Sequence, residues 1–146
     1  MSAEEPMVSL TVQRTIAAPP EAVFDWLVDA NNLKHGRVVL RVRRTRDGAG
    51  SVWGKGARRV VTSIGGWFRE DITEYERPHR YGYFIVKTIP PMRHYGGSIT
   101  VTPVDAGSHV SWQSSYDLPA ITGGRFAAPL TKRMFVMTFG QILRAA

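Results

Sequence analysis

Apolar and polar residues alternate with period two through MVSLTVQRTI, Met7 to Ile16, the pattern of a half-buried strand. Ala17-Ala18-Pro19-Pro20 ends it, and the prolines suit the first turn of a helix, with Glu21 favourable at its positive end. In the segment EAVFDWLVDA the period changes to that of a helix, with Val23, Phe24, Leu27 and Val28 on one stripe. NNLKHG, Asn31 to Gly36, adds a short further helical turn. From Arg37 onward the pattern is strand and turn. Strands are predicted over Val38 to Thr45, Ala57 to Ile64, Trp67 to Glu76, Tyr81 to Ile89, His94 to Thr102 and Ser108 to Leu118. Turn residues separate them at Asp47 to Ser51, Gly65-Gly66, Arg77 to Arg80, Pro90-Pro91 and Val104 to Gly107. After Gly123-Gly124 a last helix runs from Arg125 to Ala145. Its apolar face (Phe126, Leu130, Met134, Phe135, Met137, Phe139, Ile142, Leu143) is broad enough to predict a well-covered helix.

The order is strand, helix pair, a run of hairpin-connected strands, then one long helix. Such a sheet has one face to bury, and the terminal helix is the available cover. An α+β domain follows, with the last helix lying across a curved antiparallel sheet. A chain of 146 residues suits one such domain, 1–146.

One strand carries charge on both faces. In REDITEYERPHRYGY, Glu70 and Ile72 point one way, Arg69 and Asp71 the other. A two-residue turn at Gly65-Gly66 sets Val61 against Glu70 and Arg59 against Ile72. Arg59 and Glu70 then become diagonal neighbours on one face, as Arg58 and Asp71 do on the other. Val61, Phe68 and Ile72 favour the first set as the inward one. Glu70 then reads as a paired charge at a cavity rim, with the roles of ligand anchor and of general acid or base as its alternatives. In the last hairpin, a turn at Val104 to Gly107 sets Val101 against Val110, Ile99 against Trp112, Gly97 against Ser114 and Tyr95 against Tyr116. Tyr95, Trp112 and Tyr116 are therefore expected to face inward, beside Phe135 and Phe139 of the terminal helix. Gly96-Gly97 leaves missing bulk there, and buried hydroxyl and indole groups need partners. A partly open pocket is expected.

The opening segment VSLTVQRTIAAPPEAVFDWLVDANNLKHG resembles the start of START-like (SRPBCC, Bet v 1-like) domains. GKGARR, then Glu70, Ile72, Tyr75 and Pro78 in E-x-I-x-x-Y-x-x-P, then TPVDAGSHVSW resemble the polyketide cyclase/dehydrase branch. The resemblance implies a helix-grip fold, a seven-stranded antiparallel sheet wrapped on a long C-terminal helix. It also implies a cavity between them for an apolar or aromatic ligand. Fold alone does not decide function.

The chain has no cysteine, which excludes thiolate catalysis, disulfides and Cys-zinc sites. His35, His79, His94 and His109 lack a shared metal-binding spacing, and a surface role is expected for each. No nucleophile elbow, phosphate loop or dinucleotide fingerprint is present, and no cofactor is expected. Catalysis, if any, would be acid–base work in the cavity by Glu70, Arg59, Tyr83, His94 or Tyr95. The net charge of +7 raises nucleic acid or anionic membrane as partners. The densest basic run, RVVLRVRRTR, reads instead as a strand with one solvated face, and no specific nucleic-acid motif accompanies it. The acidic N-terminus lacks the apolar core of a secretory signal, and no apolar run approaches the roughly 20 residues of a membrane helix. A cytoplasmic protein, monomer or homodimer, is expected.

Three functions compete. The first is a binder or carrier of a small hydrophobic or aromatic molecule, lipid- or polyketide-like, held by Arg59, Glu70, Tyr83, Tyr95, Trp112, Tyr116, Phe135 and Phe139. The second is a polyketide cyclase/dehydratase-like enzyme. The third is a basic protein acting at nucleic acid or anionic membrane.

Overall fold

The computed structural model describes residues 5–146. Strand β1, Val8–Ile16, leads into helix α1, Pro20–Val28, which buries Val23, Phe24, Leu27 and Val28 as its stripe predicts. Pro20 opens α1, where its missing N–H costs nothing. A 3-10 turn, Ala30–His35, follows, capped by the Asp29 carboxylate, which accepts from the Asn31 amide. Then come β2 (Val39–Arg46), β3 (Arg58–Ser63), β4 (Gly66–Glu76), β5 (Arg80–Ile89), β6 (Arg93–Val104) and β7 (Gly107–Asp117). Helix α2, Gly124–Ala145, closes the chain.

All seven strands form one antiparallel sheet in the order β1-β7-β6-β5-β4-β3-β2. Every neighbour except β1 beside β7 is joined by sequence, so six strands make a meander and β1 closes one end. The core lies between the inner face of the sheet and the helices. Phe24, Tyr81, Val101, Val110, Tyr116 and Leu143 are among its most deeply buried members. This is the helix-grip arrangement.

Three expectations are corrected. The β3–β4 turn falls on Ile64-Gly65, with Ser63 opposite Gly66, two positions from the register expected. Gly66 belongs to the strand, where a side chain would press on the Ile89 carbonyl. Arg59 therefore faces Glu70 directly and Arg58 faces Asp71 directly, rather than diagonally. Because side chains alternate with period two, a slip of two keeps every residue on its expected face.

The β6–β7 ladder holds as expected from Val101/Val110 to Gly97/Ser114, then shifts so that His94 faces Tyr116. Two residues, Tyr95 and Gly96, oppose only Ser115, which is a bulge. Gly96 takes the left-handed conformation there, φ +113°, which a side chain would disfavour. Tyr95 turns outward and donates its hydroxyl to Asp117. His94 takes the inward place.

Helix α2 is less covered than its apolar face predicts. Thr138, Phe139, Ile142 and Leu143 are buried, but Phe126 is 99% and Leu130 62% exposed. The core cover comes from the second half of the helix.

Candidate functional site

Between the sheet and α2 lies a cavity of about 180 Å³ with mostly apolar walls. Phe68, Ile85 and Trp112 line its sheet side, while Met134, Phe135 and Ile142 line its helix side. The aromatic rings brace one another. Trp112 stacks flat on Phe139 at 3.9 Å and 8°. Phe135 meets Tyr116 edge-on at 5.3 Å and Phe68 at 6.1 Å. The Tyr116 hydroxyl pairs with the half-buried Thr131 of α2 at 2.7 Å, which satisfies the buried phenol.

Arg59 and Glu70 form the charged part of the wall. Both are buried, at 3% and 7% exposure, and Arg59 Nε donates to Glu70 Oε1 at 2.7 Å. The guanidinium also lies 6.0 Å from the Tyr81 ring and 5.6 Å from the Tyr83 ring, within cation–π range. Burial opposes the Arg59 charge. The Glu70 carboxylate and the two tyrosines outweigh it, and the pKa rises. An isolated charge here would be costly, but the matched pair is held in place by its neighbours.

A second polar cluster joins β5, β6 and β7. Tyr83 lies opposite Gly97, and its ring crosses the space a Gly97 side chain would need. The room expected at Gly97 is therefore filled by Tyr83, which corrects the reading of that glycine as open pocket. Trp112 Nε1 donates to the Tyr83 hydroxyl at 2.9 Å. Past Tyr83 the β5–β6 pairing stops. The backbone amide of Ile85, left without a ladder partner, donates to His94 Nδ1 at 3.0 Å, and the other ring nitrogen meets Ser114 Oγ at 2.9 Å. His94 is 3% exposed, not the surface residue expected, and burial pushes its pKa down to about 4. Burial likewise pushes the Tyr83 phenol up to about 12.

Of the residues expected at a ligand site, Arg59, Glu70, Tyr83, Trp112, Tyr116, Phe135 and Phe139 all line this one cavity. Tyr95 does not, because the bulge turns it out, and His94 stands in its place. Ser114 also lines the cavity. Its signal was present in the sequence, since a serine between inward Trp112 and Tyr116 must share their face. Phe68 also lines the cavity, on the inward face that alternation gave it, while Met134 carried no signal beyond its place on the apolar face of the last helix. The other histidines lie away from the cavity. His35 stacks on Trp26, and His109 bonds Thr15 and Gln13 at the surface. Among the described residues no three metal-ligating side chains gather into a cluster. No helix among them is long and apolar enough to cross a membrane.

Comparison with known proteins agrees with this architecture. A family model described as polyketide cyclase / dehydrase and lipid transport matches residues 7–145. Among solved structures, TTHA0849 from Thermus thermophilus is 22% identical with a TM-score of 0.74, over 94% of this chain and 92% of that one. MLL2253 from Mesorhizobium loti is 16% identical with a TM-score of 0.65, over 94% and 95%. Ara h 8.0201 is 14% identical with a TM-score of 0.58, over 94% and 98%. Identities this low speak for the fold alone. No curated protein sequence matches.

Proposed function

The chain belongs to the family of polyketide cyclases, dehydrases and lipid-transport proteins, and from that premise we propose that it binds a small hydrophobic or aromatic molecule between its sheet and α2. The observation that carries the reading is the cavity itself, about 180 Å³ with mostly apolar walls and two compact polar clusters. An apolar cavity of roughly 150 Å³ is enough to hold benzene. Apolar walls with a few convergent polar groups are the ordinary make-up of a small-molecule site.

His94, Tyr83 and Arg59 favour holding a ligand over acid–base catalysis on it. A proton-transfer group works best with a pKa near the working pH. His94, at about 4, and Tyr83, at about 12, each keep one protonation state through the neutral range. The arginine of the charged pair does not titrate there either.

A ligand that binds only the folded state raises its stability by mass action, about 2.7 kcal/mol at a hundredfold excess over Kd. A panel of fatty acids and one- and two-ring aromatics is therefore expected to contain compounds that raise the melting temperature and appear as 1:1 complexes in native mass spectrometry. Met134→Trp, which fills the cavity from α2, is expected to remove both effects while the protein stays folded. A panel in which no compound raises the melting temperature would overturn the reading.

A further inference from the structure

The second polar cluster holds more donor protons than its own hydrogen bonds take up. His94 Nδ1 receives two backbone amides, Ile85 N–H at 3.0 Å and Gly96 N–H at 3.3 Å. A nitrogen that accepts carries no proton, so the imidazole proton sits on Nε2. That proton points at Ser114 Oγ, 2.9 Å away. The Trp112 indole can only donate, and it donates to the Tyr83 oxygen. Four protons are thus present: one on the imidazole, one on the indole and one on each hydroxyl. Two hydrogen bonds use the first two, from His94 Nε2 to Ser114 and from the indole to Tyr83. Even with one hydroxyl donating to the other, at least one O–H remains, and neither hydroxyl donates to another protein acceptor among the described residues.

Tyr83 and Ser114 both line the cavity, so the remaining O–H has the ligand space before it. The neighbouring charged pair adds no demand for an anion, since Arg59 and Glu70 cancel in charge. We propose that the ligand presents a neutral hydrogen-bond-accepting oxygen, a ketone or quinone carbonyl, to the Tyr83–Ser114 hydroxyl pair, with its apolar body along Phe68, Phe135 and Ile142. This rests on the reading of the cavity as a ligand site and adds the chemical class of the ligand. A pure hydrocarbon leaves a buried donor unmet, and an ammonium group brings donors to a donor.

The test uses the full chain and two probes of nearly equal shape, propiophenone and n-propylbenzene, which differ by a carbonyl in place of a methylene. Calorimetric titration is expected to show the ketone binding at least about threefold more tightly, the low end for a net hydrogen bond. Infrared spectra of propiophenone labelled with carbon-13 at the carbonyl should show the bound stretch below its frequency in hydrocarbon solvent. In Tyr83→Phe/Ser114→Ala, checked for folding by circular dichroism, both the preference and the shift should shrink. Equal affinity for the two probes, or a hydrocarbon-like carbonyl frequency in the unaltered protein, would overturn this inference and leave the cavity reading standing. Binding of neither probe would overturn the cavity reading and this inference with it.

Discussion

In the unfolded chain the His94 imidazole takes up its proton near pH 6.5, and in the fold only near pH 4. Above the first value both states are neutral and the fold carries no penalty. Between the two the unfolded chain binds more protons, so stability falls as pH falls. The loss reaches roughly 3 kcal/mol once pH drops below the folded value. His94→Gln should therefore flatten the decline in urea midpoint between pH 7 and pH 4.5, and parallel curves for the two proteins would refute the assignment. The buried pair makes a different prediction. Removing one partner strands a charge, at a cost of about 3–5 kcal/mol, while replacing both leaves nothing stranded. Arg59→Met and Glu70→Leu are each expected to destabilise strongly, and the double variant to recover most of the loss in a chemical-denaturation cycle. Additive losses would show that the two side chains do not act as a pair.

Helix α2 is two objects in one. Its second half is seated by Phe139, Ile142 and Leu143, and its first half exposes Phe126 and Leu130. Pro129 sits between Arg125 and Arg133, where it removes an amide that would have bonded the Arg125 carbonyl. Amides of residues 125–133 are expected to exchange with deuterium at least about tenfold faster than those of 138–143, and a bound ligand should slow Thr131 to Phe135 most. Uniform exchange along the helix would contradict this division. Periodicity alone could not reveal it, since a repeat of apolar residues records what could be covered and not how far the sheet reaches. The same limit explains Tyr95. Alternation placed Val101, Ile99 and Gly97 correctly against their β7 partners. It cannot count the extra residue of a bulge, so everything past Gly97 changed parity. The turn at Ile64-Gly65 shows the opposite case. There the predicted turn was one residue off and the register two, yet Arg59, Val61, Phe68 and Glu70 stayed together, because an even slip preserves the face.

The open sheet leaves two edges, β1 and β2. β2 is the basic run of the sequence, with Val42 opposite buried Val61 and Arg41 and Arg43 exposed. Its charge fits a solvated edge that resists pairing with a second sheet. Arg41→Thr/Arg43→Thr should then self-associate, seen as a sedimentation coefficient that grows with concentration, and an unchanged coefficient would show that the edge is protected otherwise. The molecule also reports on itself. Trp26 stacks on His35, Trp53 lies under Arg44, and Trp67 alternates to the outer face beside inward Phe68. Trp112 alone of the four tryptophans lines the cavity. Its indole lies flat on Phe139 and is tied through Nε1 to the phenol of Tyr83. The near-ultraviolet dichroism and emission colour of that one indole are thus set by what shares its space. A molecule entering the cavity is therefore expected to change that indole's dichroism and emission, a readout that needs no attached dye.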